Sequence, residues 1–171
     1  MLRDYDAIRT IADVPDLHGD APALICGERT ISYAELSSAA DRVANALIAL
    51  GVSRGARIAF VGFDTEKSYE LLFGCARAGF VFVPINWKLG LDEIDFILND
   101  SEAEVLFVTP ELEQLARQWR ASCPRLAATI AIDGSAEGLI DYLAWRDAAS
   151  LTRPVLDSDP ERPVAQVYTS G

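Results

Sequence analysis

The chain has 171 residues, 26 of them acidic and 15 basic, for a formal net charge of −11. That length can bury a single core, and a composition that is half hydrophobic excludes a disordered chain. Two lysines, Lys67 and Lys88, and arginines scattered from Arg3 to Arg162 leave no basic face for nucleic acid. In chain order, residues 23–26 and 29–33 flank Gly27-Glu28 and predict a short N-terminal β-hairpin. Ser32 and Glu35 have the spacing of a capping box, and Leu36, Ala39, Ala40, Val43, Leu47 and Leu50 follow on one helical face up to Gly51.

Residues 57–62 form an apolar run without alternation, which predicts a strand buried on both faces. Asp64 is the expected cap of the next helix, with Tyr69, Leu72, Phe73 and Ala76 inward and Gly79 at its end. Residues 80–84 predict a second buried strand that stops at Pro84. Gly90 stands at a cap position before a helix carrying Ile94, Ile97 and Leu98. Residues 104–108 predict a third strand, Thr109-Pro110-Glu111 a helix start, residues 129–132 a fourth strand and residues 140–148 a short helix. Residues 153–163, with three prolines, read as a surface loop before an apolar strand at 164–168. Strands alternating with helices in this way predict one α/β domain over residues 1–171, a doubly wound, mostly parallel sheet with helices on both faces.

Membrane and secretory readings find no support. The most apolar stretch, residues 80–85, is far shorter than the roughly 20 residues that span a bilayer, and the N-terminus mixes charges with no apolar segment of a signal peptide. Cys26, Cys75 and Cys123 have no Cys-x-x-Cys spacing and read as buried, reduced thiols of a cytoplasmic protein. With the single His18 they give no recognisable metal site, and His18 reads as a loop residue rather than a member of a Ser-His-Asp triad.

A doubly wound sheet invites a dinucleotide, but Gly62-Phe63-Asp64-Thr65-Glu66 has no Gly-x-Gly-x-x-Gly turn, and its two carboxylates repel a pyrophosphate. A complete Gly-x-x-x-x-Gly-Lys-Ser/Thr loop and a Gly-x-Ser-x-Gly elbow are also missing. Asp92, Glu93 and Asp95 cluster where they complement a helix dipole. The informative place is the end, where residues 164–168 run into Thr169, Ser170 and Gly171. Two hydroxyls and a glycine after a strand can offer donors to a phosphate, and they equally suit a polar terminus.

The wider pattern resembles the adenylate-forming enzymes of the AMP-binding superfamily, which include acyl-CoA synthetases, aryl-CoA ligases, luciferases and peptide-synthetase adenylation domains. The resemblance lies in Ser32-Tyr33-Ala34-Glu35-Leu36, in Arg42 to Leu47, in Leu50-Gly51-Val52 and in residues 55–59. It continues through residues 79–86, Lys88-Leu89 and residues 93–103 to Tyr168-Thr169-Ser170-Gly171. The last four residues resemble the start of the family's phosphate loop, Tyr-Thr-Ser-Gly-Thr-Thr-Gly-x-Pro-Lys-Gly. Gly90, Lys88 and Phe80 depart from the usual Ser or Thr, Arg and Ala without touching the chemistry.

The resemblance implies a ligase that joins a carboxylate to ATP as acyl-AMP, with Mg2+, and then transfers the acyl group to coenzyme A. A fatty acid–CoA ligase is the expected subclass, with an aryl-CoA ligase or an adenylation domain as alternatives. Thr169, Ser170 and Gly171 are the implied ATP-contacting residues, and no catalytic or metal-binding residue is assigned. The chain is expected to be about the first third of such an enzyme, inactive by itself and prone to self-association. A non-catalytic interaction module and a small receiver-like α/β domain are the competing expectations.

Overall fold

Ser32 and Glu35 start the first helix as their spacing predicts. The Ser32 side chain accepts from the Glu35 backbone N–H at 3.2 Å, and the Glu35 carboxylate accepts from the Ser32 N–H at 2.8 Å. The structure is a computed structural model that describes residues 10–134, 138–155, 159 and 161–169. Hairpin strands β1 (Pro22–Cys26) and β2 (Arg29–Ser32) lead into α1 (Tyr33–Ala49). There follow β3 (Arg57–Gly62), α2 (Glu66–Ala78), β4 (Val81–Asn86), α3 (Leu91–Asp100) and β5 (Ala103–Val108). Then come α4 (Glu113–Ser122), β6 (Ala128–Ala131), β7 (Ile140–Asp141) and α5 (Tyr142–Asp147).

The five-stranded sheet has the order β4-β3-β5-β6-β7, and every pairing in it is parallel. Alternate strand residues face opposite layers. Ile58, Phe60, Phe82, Val105, Phe107 and Ile130 pack under α1, α2 and α5. Ala59, Val61, Val83, Ile85, Leu106 and Val108 pack under α3 and α4, around Trp119. The doubly wound α/β reading, with helices on both faces and a separate hairpin, therefore holds.

Several local expectations are corrected by packing. Thr65, not Asp64, caps α2: its hydroxyl accepts from the Lys67 N–H at 3.2 Å, while Asp64 is exposed. Tyr69 faces outward, 43% exposed, while α2 buries Leu71 and Cys75 together with the expected Phe73 and Ala76. Thr109-Pro110-Glu111 opens a 3-10 turn (Pro110–Leu112), and the α-helix begins at Glu113. The Thr109 hydroxyl caps nothing, since the residue is drawn against Gly62, where a Cβ would stand 2.3 Å from its Cγ2. Residues 140 and 141 are a short fifth strand before α5 rather than its first turn; two residues give no legible period, and Asp141 then caps α5 on the Ala144 N–H at 2.7 Å. Cys75 and Cys123 are buried, but Cys26 on the hairpin is only half-buried. His18 is exposed in a turn, as expected.

Strand β4 also runs on through Pro84 to Asn86. In a parallel strand, alternate residues direct their N–H and C=O to opposite neighbours. Val81 donates to Ala56 on the β3 side, whereas Phe82 donates to the Val164 carbonyl and accepts from the Gln166 N–H on the other side, each at 2.9 Å. Pro84 shares the parity of Phe82, so its missing N–H lies on the outer edge and costs the β3 ladder nothing. That same omission limits the expected strand at 164–168 to one bridge, Phe82 with Ala165.

No helix among the described residues is long and apolar enough to cross a membrane.

Candidate functional site

The C-terminal ends of β3 and β5 form the switch point of the sheet, where doubly wound folds commonly receive ligands. Here the two ends close on each other through Gly62 and Thr109. Beside them Lys67, 7% exposed, pairs with Asp133 at 2.7 Å and with Glu66 at 3.4 Å. Phe63 stacks on Trp87 with centroids 4.2 Å apart. Lys67 thus joins two carboxylates at this end, while the Thr109 hydroxyl and Glu113 Oε1 are buried there with no hydrogen-bond partner among the described residues.

A more open place lies one strand away, where the chain returns along the outer edge of β4. Residues 164, 166 and 168 are half-buried and residues 165, 167 and 169 exposed, the alternation of an extended segment with one covered face. Tyr168 lies against the α3 side of the sheet. Its hydroxyl donates to Asp100 Oδ2 at 2.6 Å and accepts from Gln166 Nε2 at 2.7 Å. Burial first, and then the Asp100 carboxylate, push the Tyr168 phenol up to about 12. Arg57 Nε donates to Gln166 Oε1 at 3.4 Å and so orients the Gln166 amide.

Tyr168 and Thr169 form one wall of a groove of about 640 Å3 over the end of β4 and the start of α3. Pro84, Asn86, Glu93 and Phe96 are among the residues that line the other walls. Glu93 accepts from the Gly90 N–H at 2.8 Å and caps α3, whereas Asp95 accepts from the Ser122 hydroxyl at 2.7 Å. Thr169 presents an exposed residue at the mouth, at the end of a segment parallel to β4. Ser170 and Gly171 lie outside the described residues. Among the described residues, no group of three His, Cys, Asp or Glu side chains is placed to hold a metal ion.

The family of AMP-binding enzymes matches residues 12–171. The chain belongs to that family. Within the AMP-binding enzymes, it is 36% identical over 98% of its length to the fatty acid–[acyl-carrier-protein] ligase ScoC of Streptomyces coeruleorubidus, of which it covers 32%. It is 47% identical over 53% of its length to a feruloyl-CoA synthase of an Amycolatopsis species, covering 18% of that protein. The fold superposes on the anthranilate CoA ligase AuaEII, solved in complex with anthranoyl-AMP, with a TM-score of 0.88, 26% identity, and coverage of 98% of this chain and 34% of that one. The Mycobacterium smegmatis protein MbtA gives a TM-score of 0.85 at 27% identity, over 96% of this chain and 32% of that one. The chain thus spans about a third of the length of the relatives that it matches end to end.

Thr169 stands in a motif of this AMP-binding enzyme chain, whereas nothing local in the sequence marks Asp100, Gln166 or Pro84 as lying near it. Asp100 lies 68 residues before Tyr168. Only the return of the chain along β4 joins them.

Proposed function

We propose that residues 1–171 form a single unit, the N-terminal part of the large domain of an ATP-dependent acid–thiol ligase. The ligase activates a carboxylic acid as acyl-AMP, releases pyrophosphate and passes the acyl group to coenzyme A. The observation that carries the reading is the family match from residue 12 through residue 171, which includes Thr169-Ser170-Gly171. In this role the Thr169 and Ser170 hydroxyls and the backbone donors of the turn meet the charge that develops on the leaving pyrophosphate. Mg2+ bound with ATP supplies further neutralisation of that charge. The described residues contribute a hydroxyl at Thr169 rather than a set of metal ligands.

A fatty acid is the favoured substrate class, supported by the ScoC likeness across nearly the whole chain. An aromatic acid is the second reading, favoured by the higher identity to feruloyl-CoA synthase over about half the chain. The reading places the ligase in the cytoplasm, where its three free thiols stay reduced. By itself the chain adenylates nothing, and it self-associates through the exposed Leu91, Phe96 and Val167 near the groove.

Source DNA beyond codon 171 tests the loop. A continuation as Thr-Thr-Gly-x-Pro-Lys-Gly supports the reading, and a stop codon or an unrelated continuation overturns the role given to Thr169, Ser170 and Gly171. ATP–pyrophosphate exchange by the continuous reading frame, with hexadecanoate against ferulate, decides the acid class. Exchange by the 171-residue chain alone would overturn its predicted inactivity. Light scattering tests association, and a monodisperse monomer refutes it.

A further inference from the structure

A strand that leads into a ligand-binding turn is ordinarily held by a ladder of backbone hydrogen bonds. Here the lead-in segment has one bridge, Phe82 with Ala165, because the next donor on the β4 edge would be the N–H that Pro84 lacks. The side chains supply what the backbone withholds. Arg57 fixes the Gln166 carboxamide with its carbonyl toward the guanidinium, which turns the Gln166 NH2 toward Tyr168. The Tyr168 oxygen is then occupied as an acceptor, and its proton goes to Asp100 at the end of α3, at 2.6 Å. The chain of donors and acceptors has one consistent direction from Arg57 to Asp100.

We infer that Tyr168 and Asp100 are a positioning pair: their hydrogen bond, in place of a β-ladder, sets where Thr169 stands at the mouth of the groove. The inference rests on the phosphate-contacting role proposed for Thr169. The pair acts through the segment that carries Thr169. The Tyr168 ring packs on the α3 side of the sheet, so its direction is set by the core rather than by solvent. The raised Tyr168 phenol agrees with a hydroxyl that stays protonated as the donor of this bond. A segment tied down by side chains can be released or shifted without unzipping the sheet. An additional ladder bond from residue 84 would remove that freedom.

Amide hydrogen exchange of the chain, resolved to Phe82 and Gln166, tests the pair, because those two N–H groups make the bridge. In Tyr168→Phe, which keeps the ring and deletes the hydroxyl, both amides should exchange at least about five-fold faster, the factor that one typical side-chain hydrogen bond supplies. Val105 and Leu106 in the central strand should keep their rates, and the Tm should move by less than about 2 °C. Asp100→Asn keeps an acceptor for the hydroxyl and should hold most of the protection, whereas Asp100→Ala should match Tyr168→Phe. Pro84→Ala, which restores the missing donor, should recover protection in the Tyr168→Phe background.

Unchanged exchange at Phe82 and Gln166 in Tyr168→Phe, or a rise shared with the central strand, overturns the inference. Inorganic pyrophosphate added to the unaltered chain addresses the role of Thr169 separately. Failure to protect the Thr169 amide counts against the phosphate-loop reading, and the exchange comparison among variants is decided without it.

Discussion

The Tyr142 hydroxyl donates a 2.7 Å hydrogen bond to the Glu70 carboxylate across a separation of 72 residues, and the same Glu70 oxygen accepts from Arg146 at 2.7 Å. Tyr142 is fully buried, and Glu70 is 7% exposed. The triad ties α5 to the first half of α2 within the helix layer that covers one face of the sheet. Burial first, and then the neighbouring Glu70, hold the Tyr142 phenol far above its ordinary value.

Removing the carboxylate leaves the buried Tyr142 hydroxyl without its acceptor and Arg146 with Asp147 alone, whereas removing the hydroxyl leaves Glu70 still paired. Glu70→Ala should therefore destabilise the chain by about 3 kcal/mol, the scale for breaking a buried pair. Tyr142→Phe should cost about 1 kcal/mol, because Arg146 still satisfies Glu70. Urea unfolding of both variants checks the ratio, and equal losses would refute this account.

Gly74 of α2 lies directly against Val43 and Ala40 of α1. A Cβ there would stand 2.4 Å from Val43 Cγ1 and 2.7 Å from Val43 Cβ. Gly74→Ala should destabilise by roughly 1–3 kcal/mol despite the better helix propensity of alanine. Val43→Ala in the same chain should recover part of the loss in a thermal melt. Neither effect is expected if the helices can simply slide apart.

Acid should weaken the fold through specific carboxylates. Burial pushes Glu66 up, but a hydrogen bond from its own backbone N–H and the charges of Lys67 and Arg29 outweigh that and hold it below its ordinary 4.5. The Arg146 hydrogen bond holds Asp147 down in the same way. A carboxylate depressed in the folded state adds stability above its unfolded value, and that stability is lost as pH falls. Asp41, raised by burial, acts in the opposite sense and offsets part of the loss. The urea midpoint should fall as pH is lowered from about 6 to about 3, with a shallower slope in Glu66→Gln.

Alkali should act through the two phenols. Both Tyr142 and Tyr168 are raised in the folded chain, Tyr168 to about 12. Stability that is present below the ordinary tyrosine value of 10 is lost as pH rises toward 12. Tyr168→Phe should flatten that decline in a urea series, because the phenylalanine has no proton to release.

The thiols should separate by burial. Cys75 is fully buried and its thiol is pushed far up by desolvation, and Cys123 is 2% exposed and also raised by burial. Cys26 sits half-buried on the hairpin. A chromogenic disulfide reagent should titrate one thiol per native chain and all three in denaturant. Fast labelling of two or more native thiols would show that the core opens.

What the sequence determined by itself was local. The Ser32–Glu35 capping box, the left-handed Gly79 at the end of α2 and the apolar strands β3 and β5 depend on neighbours a few residues away, and they stand where their spacing puts them. The family pattern was legible for the same reason: short motifs in order carry it. Tertiary structure decided the rest. The period of α2 places Phe73 and Ala76 inward, but packing against α1 and the sheet decides that Tyr69 points out and Leu71 in. Pro84 reads as a stop until β4 is known to be the sheet's outer strand, where a missing N–H interrupts only the returning segment. The partnership of Tyr168 with Asp100 exists only once the chain has come back along that edge. Contacts between residues far apart in sequence leave no local period or motif to read, because the loop that closes them is set by the whole sheet.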